Sequence, residues 1–379
     1  MGPLAGVKIV ELAGIGPGPM CAMLLADLGA TVIRVERKVE SQLGIKRPPK
    51  FNLLNRGRRQ VAVDLKDPEG VAFVRALVAE SDAVIEGFRP GVTERLGLGP
   101  DDLFRVNPRV VCGRMTGWGQ EGPLAQSAGH DLNYIAITGA LSMIGREGQP
   151  PTVPLSLVGD LGGGALYLAL GICAAIIEAR QSGKGQVVDA AISDGVAHLM
   201  TNFHGLLGAG IITPERGTNI IDGGAPYYDV YLCKDGRYVS IAPIEPKFFA
   251  LLVKLLELPE DTMPPQNDKA RWPEMRAIFA ARFLEKTRDE WTELLGKTDA
   301  CFAPVLTLEE APAHPHMQAR NVYFEVDGVV QPVPAPRFSR TVPDVPEPVV
   351  PAAETDPAHA LEGWEVLKDL ESWKEKGAL

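Results

Sequence analysis

Two short motifs in the middle of the chain carry the residue types that acid–base chemistry needs. Gly129-His130-Asp131-Leu132-Asn133-Tyr134 sets an imidazole beside a glycine, and Val158-Gly159-Asp160-Leu161-Gly162-Gly163-Gly164 sets a carboxyl in the same way. Beside glycine the backbone can turn sharply or approach a ligand closely. Each motif runs into apolar, helix-compatible sequence, so two loop-to-helix junctions are expected to aim His130 and Asp160 at a common point. A neutral imidazole takes a proton and a carboxylic acid gives one. That pairing suits a reaction that removes a proton from carbon and returns one to the opposite face. Neither residue is diagnostic alone: a solitary histidine is often a satisfied structural group, and Gly-Asp before a helix is often an N-cap.

The elements that must position these groups follow from the pattern around them. The chain has 379 residues, 45% hydrophobic and 23% charged, as in soluble globular proteins of two or three domains. Residues 7–12 and 31–35 read as strands on either side of a helix at 20–28. Further strands are expected at 61–65, 83–86 and 109–114, with a helix at 68–79 capped by Asp67. This alternation predicts an α/β domain with a Rossmann-like, mostly parallel sheet covered on both faces. Ligands then gather at the carboxyl ends of the strands. A long apolar helix (165–179), a strand (186–190) and a helix (192–207) complete this part. His198 and His204 on that last helix have no acidic partners at ligand spacing and read as structural.

The domain boundaries expected are a large α/β domain over 1–207, a linker at 208–224, and a smaller α+β domain over 225–320. Residues 321–379 form a proline-rich arm and a helix, from Asp356-Pro357 to about 376, that returns to the large domain. Asp235-Gly236 marks a hairpin in the small domain, and Trp272 and Trp291 read as its core.

Charge narrows the ligand class. The net charge is −10, which disfavours general nucleic-acid binding. Residues 34–66 nevertheless hold ten Lys/Arg against three acids (Glu36, Glu40, Asp64), a local +7 that suggests a discrete polyanion. The run Gly14-Ile15-Gly16-Pro17-Gly18-Pro19 resembles a dinucleotide fingerprint, with Glu36 near the place of the ribose-binding acid. Pro19 replaces the third glycine, however, and Glu36 is embedded among Arg34, Arg37 and Lys38, which argues against a nicotinamide cofactor. The five cysteines show no metal-ligand spacing and suggest a reducing compartment. No signal peptide and no apolar run long enough to span a bilayer is evident, so a cytoplasmic location without membrane attachment is expected.

Several longer stretches sharpen this reading. They include Val10-Glu11-Leu12-Ala13-Gly14-Ile15-Gly16-Pro17-Gly18-Pro19, Val63-Asp64-Leu65-Lys66, Met115-Thr116-Gly117-Trp118-Gly119-Gln120, Gly183-Lys184-Gly185-Gln186 and Asp222-Gly223-Gly224-Ala225-Pro226. With Gly129-His130-Asp131 and Ile244-Glu245-Pro246, they make the chain resemble, over nearly its whole length, the family III CoA-transferase superfamily, and within it the α-methylacyl-CoA racemase group. The resemblance implies an interlocked homodimer and a 2-methylacyl-CoA thioester substrate, with CoA part of the substrate, no separate cofactor and no metal. It implies that His130 and Asp160 interconvert the (2R) and (2S) epimers through an enolate, with Glu245 set against the histidine. It places Arg37 and the segment Ala62, Val63, Asp64, Leu65 beside the nucleotide. Gly129, Asp131, Leu132, Asn133 and Tyr134 would approach the pantetheine and thioester. Arg89, and less directly Arg58 and Lys66, would meet phosphates. Backbone N–H groups of Gly162, Gly163 and Gly164 are candidate enolate donors. Transferases of the superfamily use the aspartate matching Asp160 as a covalent nucleophile, which is the alternative reading; they have no evident use for His130. Two departures leave the acyl group less defined: Ser156 stands where the racemases carry Asn, and Leu161 where Phe is common.

Overall fold

Short apolar strands separated by helices leave little choice but a sheet buried on both sides. The computed structural model, which describes residues 2–39, 44–259, 261 and 263–379, has that sheet at its centre. Six strands, β1 (Lys8–Leu12), β2 (Thr31–Glu36), β3 (Arg59–Ala62), β4 (Ala83–Glu86), β5 (Val111–Thr116) and β6 (Val187–Ala191), lie in the order β3-β2-β1-β4-β5-β6. Every pairing is parallel. This is the doubly wound order, with its topological switch between β1 and β4.

Helix starts follow local chemistry. Helix α1 (Pro17–Asp27) begins with proline in its first turn after Gly16, whose φ of 68° only glycine adopts without strain. In α2 (Pro68–Ala79) the Asp67 carboxylate accepts the Glu69 N–H at 2.9 Å, and Phe73, Val74, Leu77 and Val78 face the core. A short helix α3 (Asp131–Ala136) follows His130. Residues Leu157–Ala165 then form a π-helix that runs into α4 (Leu166–Ser182), and α5 (Ile192–Leu199) lies against the π segment. The contact is so close that a Cβ on Gly195 would fall 1.9 Å from the Gly163 carbonyl oxygen, and one on Gly163 2.5 Å from Val196 Cγ2.

The fused helix Leu157–Ser182, 26 residues with a mean hydropathy of 1.8, is long and apolar enough by length and composition to cross a membrane. The sequence reading expected no such run. One side of α4 packs on β5, where Ile172 and Leu168 leave no room for a side chain at Gly113. Leu166, Leu170 and Ile177 on the other side are exposed.

The chain divides into two compact units. The first comprises the stretch up to Thr138, Leu155–Met200 and Asn321–Leu379; the second comprises Gly139–Pro154 and Thr201–Arg320. These limits differ from boundaries at 207 and 225. The expected helix over 192–207 is two helices, α5 and Thr201–Gly208, one in each unit. Residues 139–154 join the second unit because Arg146 pairs with Asp229 at 2.5 Å and Glu147 packs on Gly217.

In the first unit the C-terminal segment returns to the sheet. Ala360, Leu361, Trp364, Val366 and Leu370 enter the core that holds Phe73 and Leu77. The single helix expected over 356–376 is broken: Pro357–Ala360 and Leu370–Glu375 are α-helical, with Gly363 at φ 83° and a 3-10 turn between. A straight helix could not bring Trp364, Val366 and Leu370 to one buried face. The hairpin Tyr323–Val326 with Val329–Pro332 stands where the sequence reading, over 321–379, expects a linker.

The second unit has an antiparallel sheet of β7 (Asp229–Leu232), β8 (Tyr238–Ile241) and β9 (Phe302–Pro304). Helices α6 (Pro246–Leu255), α7 (Trp272–Phe283) and α8 (Arg288–Leu295) accompany it, and Tyr227, Tyr231, Phe279, Phe283, Trp272 and Trp291 form its core. The turn at Asp235-Gly236 is present, with Gly236 at φ 77°.

Because α5 touches the π segment backbone to backbone, Gly195→Ala is expected to lower the unfolding free energy by about 2–3 kcal/mol. Urea denaturation of the purified variant measures this.

Candidate active site

A cavity of about 430 Å³ opens in the first unit at the carboxyl ends of β1, β4 and β5, beside the topological switch. Its walls come from the loop after β1 (Gly14, Ile15, Gly16), the loop after β4 (Gly87, Phe88, Arg89, Pro90), and Thr116, Gly117 and Trp118 after β5. His130 and Asp160 both line it, as do Gly129 and Tyr134. The two junctions therefore face one space.

His130 is held by its own helix. It occupies the N-cap of α3, and its backbone N–H donates to Asn133 Oδ1 at 3.1 Å. The Tyr134 hydroxyl donates to the Gly129 carbonyl. The Tyr134 ring stands edge-on to Trp118 with centroids 4.8 Å apart. It also fills the space a side chain at Gly117 would need, 2.0 Å from its Cβ.

Asp160 lies in the π segment, an irregularity often found at functional positions. Its backbone N–H donates to Asp131 Oδ1 at 2.6 Å. A Cβ on Gly16 would lie 3.2 Å from Asp160 Oδ2, so the loop after β1 closes over the carboxyl. Burial, and next the negative charge of Asp131, push the Asp160 carboxyl up to about 6, while His130 pulls it the other way. A carboxyl at that value can both give and take a proton near neutrality.

Other expectations fare unevenly. Arg89 lines the cavity and is exposed. Arg37 and Asp64 are exposed and Ala62 is half-buried at the ends of β2 and β3, outside the cavity lining. Val63 is 1% exposed and Leu65 packs on the core, so neither side chain presents itself to a ligand. Asp131 is buried and bonded to Asp160, while Leu132 and Asn133 are exposed and do not line the cavity. Arg58 is no phosphate ligand: it is buried, 3.1 Å from Glu11, and donates to the Pro19 carbonyl. Arg34 and Arg56 are likewise buried in pairs with Glu11 and Asp27. Much of the basic stretch is therefore internal. Glu40, one of its acids, lies outside the described residues.

Glu245 belongs to the second unit. Its carbonyl accepts the N–H groups of Phe248 and Phe249 at the start of α6, and its side chain is exposed. The glycines 162–164 are not free donors. From Leu161 onward the π-helix pairs N–H groups five residues back, as Leu161 does with Ser156 at 3.1 Å. Their small size serves the packing of α5 instead. Trp118, Thr116 and Phe88 went unremarked in sequence as cavity residues, although Thr116 ends a strand and the other two follow one.

The raised Asp160 carboxyl has a consequence for stability. Its folded value exceeds the ordinary 3.8, so the linked stability is complete below that value and is lost as pH rises through about 6. Asp160→Asn removes the loss. The variant is expected to exceed the parent by about 1–2 kcal/mol at about pH 8, after discounting for partial solvent screening, and to match it below about pH 4. Urea unfolding at the two pH values checks this.

Known proteins resemble the chain along nearly its whole length. The model for "CoA-transferase family III" matches residues 4–357. An alpha-methylacyl-CoA racemase of Mus musculus is 45% identical over 368 residues, covering 97% of this chain and 93% of that protein. The Homo sapiens protein of the same name is 42% identical over the same length. Among solved structures, a CAIB/BAIF family protein from Brucella suis superposes with a TM-score of 0.81 at 28% identity, covering 95% of this chain and 98% of the other. The chain belongs to CoA-transferase family III.

Proposed function

We propose that the protein is an α-methylacyl-CoA racemase, interconverting (2R)- and (2S)-2-methylacyl-CoA thioesters by 1,1-proton transfer. The observation that carries this is His130 and Asp160 on one cavity, with the carboxyl raised to about 6. The thioester carbonyl makes the α-proton of the substrate weakly acidic by accepting charge as an enolate. His130 removes the proton from one epimer while protonated Asp160 supplies one to the other face. For the opposite epimer the roles exchange. The pair must hold one mobile proton, since two protons leave no base and none leaves no acid.

CoA enters as part of the substrate, with no separate cofactor. Arg89 at the cavity and Arg37 beyond β2 are the proposed phosphate contacts. The family resemblance supports Glu245, contributed by a second copy of the chain, as the residue that fixes the His130 tautomer. Five free cysteines fit the reducing cytoplasm. We further propose that the exposed Leu166, Leu170 and Ile177 of α4 meet a second copy of the chain, in an interlocked homodimer.

The alternative, a CoA-transferase with Asp160 as covalent nucleophile, leaves His130 without a task. One epimer of a 2-methylacyl-CoA incubated in D₂O is expected to gain α-deuterium and lose optical activity. CoA transfer to a free acid without exchange would overturn the racemase reading. His130→Ala and Asp160→Asn are each expected to slow racemisation by at least ~10²-fold. Leu170→Asp is expected to convert the dimer to a monomer, read by light scattering.

A further inference from the structure

Asp131 was expected to touch ligand, yet its carboxylate faces the protein. It is 8% exposed, and Oδ1 accepts the Asp160 N–H at 2.6 Å. Gly159 leaves the room: a Cβ there would lie 2.2 Å from Asp131 Oδ1. Asp131 also follows His130 directly in the chain as the first residue of α3. We infer that Asp131 is a positioning residue that couples the two proton carriers, joined to His130 through the backbone and to Asp160 through its N–H. This rests on the racemase reading of the site.

The arrangement does two things. Through the hydrogen bond it sets how far the start of α3 stands from the π segment, and hence the gap the substrate carbon must fit. Through its charge it opposes a second negative charge on Asp160, so the carboxyl keeps its proton to a higher pH. The surroundings offer little competition. On α3, Asp160 is faced by His130, Asp131 and Tyr134, and Arg89 acts on Tyr134 from the loop after β4. Beyond these, the residues nearest the π-segment glycines are Pro17 of α1, Met115 of β5, and Ile192, Val196 and Leu199 of α5, none of which titrates, while Asp194 and His198 of α5 and Asp189 of β6 are exposed.

Two variants separate the effects. Asp131→Asn keeps an acceptor oxygen but removes the charge. Gly159→Ala keeps the charge but drives the carboxylate away. In ligand-free full-length protein with ¹³C-labelled aspartate, the Asp160 carboxyl is expected to titrate about one pH unit lower in Asp131→Asn than in the parent. The alkaline limb of kcat/KM should move acidward by the same interval for both epimers. In Gly159→Ala the Asp160 amide should lose its protection against hydrogen exchange. An Asp160 titration unmoved by Asp131→Asn, with only KM for the thioester raised, would make Asp131 a ligand contact and overturn the inference. If the titration and amide respond as expected while the parent racemises nothing, the coupling stands and the racemase reading fails.

Discussion

A carboxylate buried in the middle of the sheet holds the cavity together. Glu11 on β1 is fully buried and is met by Arg34 from β2 and Arg58 from before β3. The two guanidiniums reach onward to the loop after β1: Arg34 donates to the Gly14 carbonyl at 3.2 Å and Arg58 to the Pro19 carbonyl at 2.7 Å. Both ends of the glycine–proline loop are thus tied to one interior charge. That loop sets Gly16 over the Asp160 carboxyl. Such a network is costly to desolvate, and removing one member leaves an unpaired buried charge, typically worth about 3–5 kcal/mol. It ties the loop to the sheet through side chains that do not line the cavity.

A second constraint is the π segment. A regular helix through 157–165 would rotate Asp160 by a different angle and carry its N–H into the i−4 ladder. The wider π turn leaves that N–H to Asp131 and brings the glycine-rich face against α5. Close packing and chemistry therefore share one backbone irregularity. The glycines are small where α5 packs, and their N–H groups lie within the helix ladder.

The legible parts of the sequence were those set by local rules. Asp67-Pro68 gave a helix start because a side-chain acceptor and a fixed φ act within one turn, and Ala83–Glu86 appeared where its apolar run lies. His130 and Asp160 were legible as types beside glycine, and they do share a cavity. Distance in sequence hid the rest. The basic stretch looked like a ligand surface because Glu11 and Asp27, which pair with Arg34, Arg58 and Arg56, lie on earlier elements. The role of Asp131 depends on a residue 29 positions away. Gly363, at φ 83°, was a local signal for the break in the last helix, but the assignment of 139–154 to the second unit has none, since it is decided by what that segment packs against.

Proton affinity links these features to reversibility. An ordinary carboxyl titrates near 4, so near neutrality it is almost always without its proton and can serve only as a base. One epimer would then find its catalyst ready and the other would have to wait for the rarer form. Raising Asp160 to about 6 makes its protonated form far commoner near neutrality. Both protonation states become populated, and either face of the substrate carbon can be served without a large preceding proton shift. Burial beneath the Gly16 loop and the facing charge of Asp131 are the two causes of that rise. The interior ion pairs that hold the loop and the hydrogen bond that holds the π segment therefore support the raised proton affinity of Asp160, and a racemase needs a carboxyl that can both give and take a proton more than it needs a strong acid or a strong base.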